Sequence, residues 1–178
     1  MKYLFFIIFF FLFSCSNDIE LVKGFIPQKD RPIEKIEGAE ILHTEHGLLK
    51  VKVIASTIKR FQNSQPYLIL SNGIQVIFYN DSTLMQSRLM SEDAEIDENT
   101  KIMIARNNVI LISSKGEKLE TQELVWDEKE NKIYTDMDVK INTGREVIQG
   151  KGFISNPNFT EYSISKIHGT FNVVTSIK

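Results

Sequence analysis

One segment of this chain recurs thirty residues further on, and that recurrence restricts the fold more than any other feature. Leu89-x-Ser91-x-x-Ala94-x-Ile96-Asp97-Glu98 is matched by Leu119-x-Thr121-x-x-Leu124-x-Trp126-Asp127-Glu128. The match continues from Lys101-Ile102 to Lys132-Ile133 and from Val109 to Val139, and a weaker copy opens at Ile148-x-Gly150-x-x-Phe153. Each unit is a β-branched and aromatic run up to an acidic turn, followed by a run back, which is the pattern of a strand hairpin. A single hairpin cannot bury its apolar face, so successive units must stack into a continuous sheet. From Ile36 onward no segment carries a helical period. The expectation is an all-β protein, a quasi-repetitive rolled sheet. Ser71-Asn72-Gly73, Asn107-Asn108, 114–117 and Thr143-Gly144 are read as its turns.

A period of two assigns the inward face. Leu119, Thr121, Leu124 and Trp126 share a side once a bend near Gln122-Glu123 is allowed, and Ile133, Val139 and Ile141 continue it. The first unit contributes Ile102, Ile104, Val109 and Leu111, and the last Phe153, Tyr162, Ile164, Phe171 and Val173. Val76 and Phe78 join them from 74–79. A slip of one residue across a turn exchanges the two faces.

Chemical candidates are few. Lys plus Arg number 21 against 23 Asp plus Glu, a net charge of −2, which lacks the basic excess a nucleic-acid partner requires. The single cysteine excludes an internal disulfide framework. His43 and His46 stand three apart, and on a strand such residues point to opposite faces, so they converge poorly on a metal. The clusters Glu92-Asp93-Glu95 and Asp127-Glu128-Glu130 fall at turns, where carboxylates are solvated, with no aromatic subsites to frame a glycosidase. Gly144, Gly150 and Gly152 form no phosphate loop; Gly150-Lys151-Gly152 marks a bulge or a close backbone crossing. Trp126 reads first as core and second as a ligand-stacking ring. No nucleophile, base and orienting group can be assembled, so neither catalysis nor a cofactor or metal is expected.

The N-terminus opens Met1-Lys2 and runs through residues 3–13 without a polar side chain. Eleven helical residues rise about 16 Å, half a bilayer core, so the run is a signal peptide (1–14) rather than a span. It ends in Leu12-Phe13-Ser14-Cys15, which resembles a bacterial lipobox, making Cys15 the lipidated residue. Residues 15–35, with Pro27 and Pro32, are the lipidated N-terminus and tether, and 36–178 are the folded domain.

The stretches PYLILSNGIQVIFYN (66–80), ARNNVILISSKGEKLETQELVWDEKENKIYTDMDVKI (105–141) and VIQGKGFISNPNFTEYSISKIHGTF (147–171) resemble the LptC family, in its lipoprotein-type versions of the Bacteroidota. The resemblance covers most of the chain after about Glu37. It implies an open, twisted, V-shaped β-jellyroll that shields lipopolysaccharide acyl chains. It further implies receipt of the lipid from an inner-membrane ABC transporter at the N-terminal edge (40–61) and delivery to LptA at the C-terminal edge (163–173). On that basis Val76, Phe78, Ile104, Val109, Leu111, Leu124, Trp126, Val139, Ile141, Phe153, Tyr162 and Ile164 are the expected acyl-chain groove. The expected location is the periplasmic side of the inner membrane, held by the lipid; Ser16 after the cysteine, with Asp18 and Glu20 behind it, does not distinguish inner from outer membrane. The competing reading is an outer-membrane or surface lipoprotein whose solid β-sandwich binds sugar or protein.

Overall fold

A computed structural model describes residues 31–62 and 65–172. Ten antiparallel strands form one sheet: β1 (Glu34–Glu45), β2 (Leu48–Arg60), β3 (Leu68–Tyr79), β4 (Met85–Ser91), β5 (Asp93–Asp97), β6 (Ile102–Ser113), β7 (Lys118–Asp127), β8 (Lys132–Asn142), β9 (Glu146–Ser155) and β10 (Tyr162–Asn172). The order is β1-β2-β3-β4-β6-β7-β8-β9-β10, with β5 completing the gap between β3 and β6. The all-β, jellyroll-like class therefore holds. The first strand starts at Glu34, two residues ahead of the expected boundary at Ile36. Cys15, the leader and Val173 lie outside the described residues.

The long strands do not run straight. Register shifts fall between Ala55 and Thr57 on β2, Arg106 and Val109 on β6, Glu120 and Val125 on β7, Thr135 and Asp138 on β8, and Ile167 and Gly169 on β10. Extra residues on one strand bend it and increase its twist. Because the irregularities line up across neighbouring strands, they form a crease along which the sheet folds over on itself. Asn107-Asn108 and Ser71-Asn72-Gly73, expected as strand-ending turns, belong to this crease: each lies inside a continuous strand, with Asn107 (φ 64°), Asn108 (φ 51°) and Asn72 (φ 66°) left-handed. Asparagine tolerates that region because its short side chain finds local partners, so the same residues that make turns also make bulges. Here the side chains of Asn107 and Asn108 bond Asp93 and Glu92 across the crease.

The repeat is visible in the register. Leu89 and Leu119 stand in one inner row, Val53–Val76–Leu89–Leu111–Leu119–Ile141, with Ile41 and Ile148 at its ends. Ala94 and Leu124 share a second row, Leu70–Ala94–Ala105–Leu124. Ile96 and Trp126 share a third, Leu68–Ile96–Met103–Trp126–Ile133, beyond the crease from the first. Folding places these rows face to face, and the Phe78 and Trp126 rings meet edge-on at 5.2 Å between centroids. Val76, Leu70, Leu111, Leu119, Ile133 and Ile141 have no solvent exposure.

Candidate functional site

The site is the space between the two halves. Its interior is filled by the molecule's own side chains. Val76, Phe78, Val109, Leu111, Leu124, Val139, Ile141 and Phe153 are all buried in one core, and Trp126, Tyr162 and Ile164 are half-buried against it. The sequence thus brings together eleven of the twelve expected groove residues, but as a packed interior rather than as the walls of an open trench. The reason is ordinary packing: apolar surfaces brought together by the crease interdigitate and leave little unfilled space.

Ile104 is the exception. It lies on the outer face, between Glu95 and Val125, while Met103 and Ala105 point inward. Ile102 is on the same outer face, paired with Asp97 and Asp127. The bulge at Asn107-Asn108 keeps the parity of the strand, so Met103 and Ala105, not their even-numbered neighbours, share a side with Val109 and Leu111. Phe171, expected inside, is exposed (61%) and paired with Val147, whereas Ile102 and Ile104 are half-buried.

Apolar surface of the third row is reached by solvent at the mouth between the halves. There Ile41, Val53, Leu68, Ile96, Met103 and Trp126 form the floor of a recess of about 200 Å³. Its rim is charged, with Arg60, Asp97, Glu98, Lys101 and Glu128. Arg60 ties β1, β2 and the β5–β6 turn together, through Nη1 to Glu98 at 2.7 Å and Nε to Glu34 at 3.3 Å. Beside it a more polar slot of about 540 Å³ runs between the tips of the two halves, lined by His43, Lys50 and Asp81 on one lip and Glu128, Lys129 and Asn158 on the other. The lips meet lightly. His43 Nε2 lies 3.5 Å from Glu45 and 3.7 Å from Glu128 without a hydrogen-bond partner, and the Ser87 hydroxyl donates to the Pro157 carbonyl. At the β10 side, burial, with Glu117 and Glu146 nearby, pushes the Tyr162 phenol above its usual value.

Gly150 and Gly152 mark a close crossing of β9 and β10. A methyl on Gly150 would stand 2.5 Å from Ile164 Cγ2 and 2.6 Å from the Lys166 carbonyl oxygen; Gly152 is left-handed (φ +74°) and its methyl would stand 2.8 Å from Ser165 Oγ. Among the described residues no group of three His, Cys, Asp or Glu side chains converges on a metal position. Sequence reasoning missed Ile96, Met103 and Leu68, which form the mouth, and Phe159, a fully buried loop residue. The first two carry a readable signal, because Ile96 repeats as Trp126 and Met103 neighbours both. Phe159 lies outside every strand period.

A family model for LptC-related lipopolysaccharide assembly matches residues 3–162. The chain belongs to the LptC family. Membership makes it a component of lipopolysaccharide transport in the cell envelope, on the periplasmic side and associated with the inner membrane, and not a member of an enzyme family. A search of curated proteins returns no match. For an LptC-family protein two features of the sheet gain meaning: the apolar interior between its halves, and its two margins, β1 and β10, unpaired among the described residues.

Proposed function

We propose that this protein accepts lipopolysaccharide from an inner-membrane ABC transporter, shelters the acyl chains between the halves of its sheet, and passes them to an LptA-like bridge protein. The transporter's periplasmic jellyroll docks on the β1 edge and the bridge protein on the β10 edge, each by adding a strand to the sheet. A lipid on Cys15 holds residues 15–35 to the periplasmic face of the inner membrane.

The observation that carries this reading is that one apolar interior runs through a sheet with both margins unpaired among the described residues. Long free edges invite association, and soluble β-proteins normally cover or blunt them. Keeping two is consistent with a link in a chain of sheets. Hydrocarbon transfer gains about 0.8 kcal/mol per buried CH₂ and needs no directed contact, so a row of Val, Leu, Ile and Phe suffices, with no catalytic group. Because the halves touch through Phe78 and Trp126, loading parts them about the crease.

The test is a photo-crosslinking side chain placed singly at Phe78, Leu111, Trp126 and Phe153 in growing cells. Lipopolysaccharide adducts are expected at these positions and not at outward Ile104. Adducts at none of the four would overturn the proposal.

A further inference from the structure

The residue that closes the β10 end of the interior does not belong to the sheet. Phe159 lies in the loop between β9 and β10, yet has no solvent exposure. Its ring packs against Phe153, 5.7 Å between centroids at 79°, and against Tyr162 at 5.3 Å. Its backbone is left-handed, with φ 54°. For a bulky aromatic residue that conformation is an outlier, held only where the surroundings impose it.

The surroundings here are local. The Asn156 carbonyl accepts from the Phe159 amide at 3.0 Å, the Asn156 side-chain oxygen accepts from the Thr160 amide at 3.0 Å, and Asn156 Nδ2 donates to Thr160 Oγ1 at 2.7 Å. A short turn therefore drives the ring inward. Its hold on the opposite half is the hydrogen bond from the Ser87 hydroxyl to the Pro157 carbonyl. Withdrawing the loop would break few interactions and leave the β9–β10 ladder intact.

From this we infer that Phe159 is a removable plug: its ring occupies a subsite for a saturated acyl chain, against the paired rings of Phe153 and Tyr162, and an arriving chain displaces it. The inference rests on the carrier function proposed above. The exchange replaces one apolar occupant by another, so Phe153 and Tyr162 stay covered throughout. It also releases the left-handed backbone, which favours departure of the ring once a chain is available to take its place. When the chain moves on to the next sheet, the turn returns the ring and the end closes.

The experiment uses the full-length protein in growing cells, with the photo-crosslinker at half-buried Ile164, which pairs with Phe153, and in a parallel strain at Phe78. Lipopolysaccharide adduct yield is measured at both. Phe159→Ala should raise the yield at Ile164 at least threefold and leave that at Phe78 within a factor of two. Asn156→Ala, which loosens the turn without touching the core, should raise it in the same direction, whereas Phe159→Leu, which keeps an apolar plug, should stay near the parent. An unchanged or lower yield at Ile164 in both Phe159→Ala and Asn156→Ala, with Phe78 still labelled, overturns the plug and leaves the carrier function standing. Loss of adducts at both positions in the parent overturns both together.

Discussion

The tightest approach in the sheet offers a quantitative handle on its C-terminal edge. Replacing Gly150 by alanine puts a methyl 2.5 Å from Ile164 Cγ2 and 2.6 Å from the Lys166 carbonyl oxygen. The first neighbour is the end of a half-buried side chain and can rotate away. The second is backbone, on the strand paired with β9 at Lys151 and Gly150. To restore even a 3.0 Å contact β10 must withdraw by about 0.4 Å there. Overpacking of this kind costs about 1–3 kcal/mol. Because β10 is bonded on one side only among the described residues, the cheapest relief is to open β10 rather than to distort the interior. Hydrogen exchange by mass spectrometry should then show the amides of β10 exchanging about 5–150-fold faster, by the tenfold per 1.4 kcal/mol relation, with β3, β6 and β7 unchanged. Gly144→Ala is the control: unlike Gly150 it is left-handed (φ +82°), so alanine strains the β8–β9 turn, but its methyl would meet nothing within 4 Å and β10 should be unaffected. If Gly150→Ala leaves β10 protection intact, or lowers protection evenly across the sheet, the reasoning fails.

Three further outcomes are expected. Leu111→Ala, between Leu89 and Leu119 with no exposure, should destabilise by about 2–5 kcal/mol in urea titration, and a loss under 1 kcal/mol would contradict the packed interior. The Lys118 ammonium beside Glu120 and the Asn99 amide at Asp97 hold those two carboxyls below their usual values, so their contribution is present above the unfolded-state value and lost as pH falls through the folded one. The urea midpoint should therefore hold between pH 7 and 5 and fall below about pH 4, less steeply in Asp97→Asn with Glu120→Gln; an identical fall in the double variant would refute this. Cys15→Ser should shift the protein from the membrane fraction toward the soluble periplasmic one, and full retention in membranes would remove the lipid anchor from the proposal.

Much of the fold was legible because its repeat and its register are the same fact. Leu89 and Leu119, Ala94 and Leu124, and Ile96 and Trp126 are thirty apart in sequence and share rows in space, so aligning the units already aligns the strands. The bend near Gln122-Glu123 was legible too, since without it Thr121 and Leu124 could not share a face. Ile104 falls on the inner face only if Asn107-Asn108 ends a strand. Read as a bulge within β6, the pair preserves parity and turns Met103 and Ala105 inward. Asparagine in the left-handed region serves both purposes, and local sequence does not say which. Phe159 was invisible for a different reason: its burial is imposed by a turn at Asn156, and no alternation of apolar and polar residues leads to it.

The two margins, unpaired among the described residues, differ in charge. β1 carries Glu34, Glu37, Glu40 and Glu45 with Lys35 and His43, Glu34 and Glu40 being ion-paired to Arg60 and Lys52 of β2, whereas β10 carries Lys166 and His168 with no acid. Two β1 edges meeting side by side would bring the carboxylates of both strands together, a destabilising arrangement where they fall opposite each other. Unlike edges would not. Charge thus discourages symmetric pairing through β1 while leaving that margin open to a partner of complementary sign. In the proposed carrier, joining unlike margins would give the sheets one polarity, and the longest apolar row, from Ile41 on β1 to Ile148 on β9, would supply most of the hydrocarbon path with no specificity of its own.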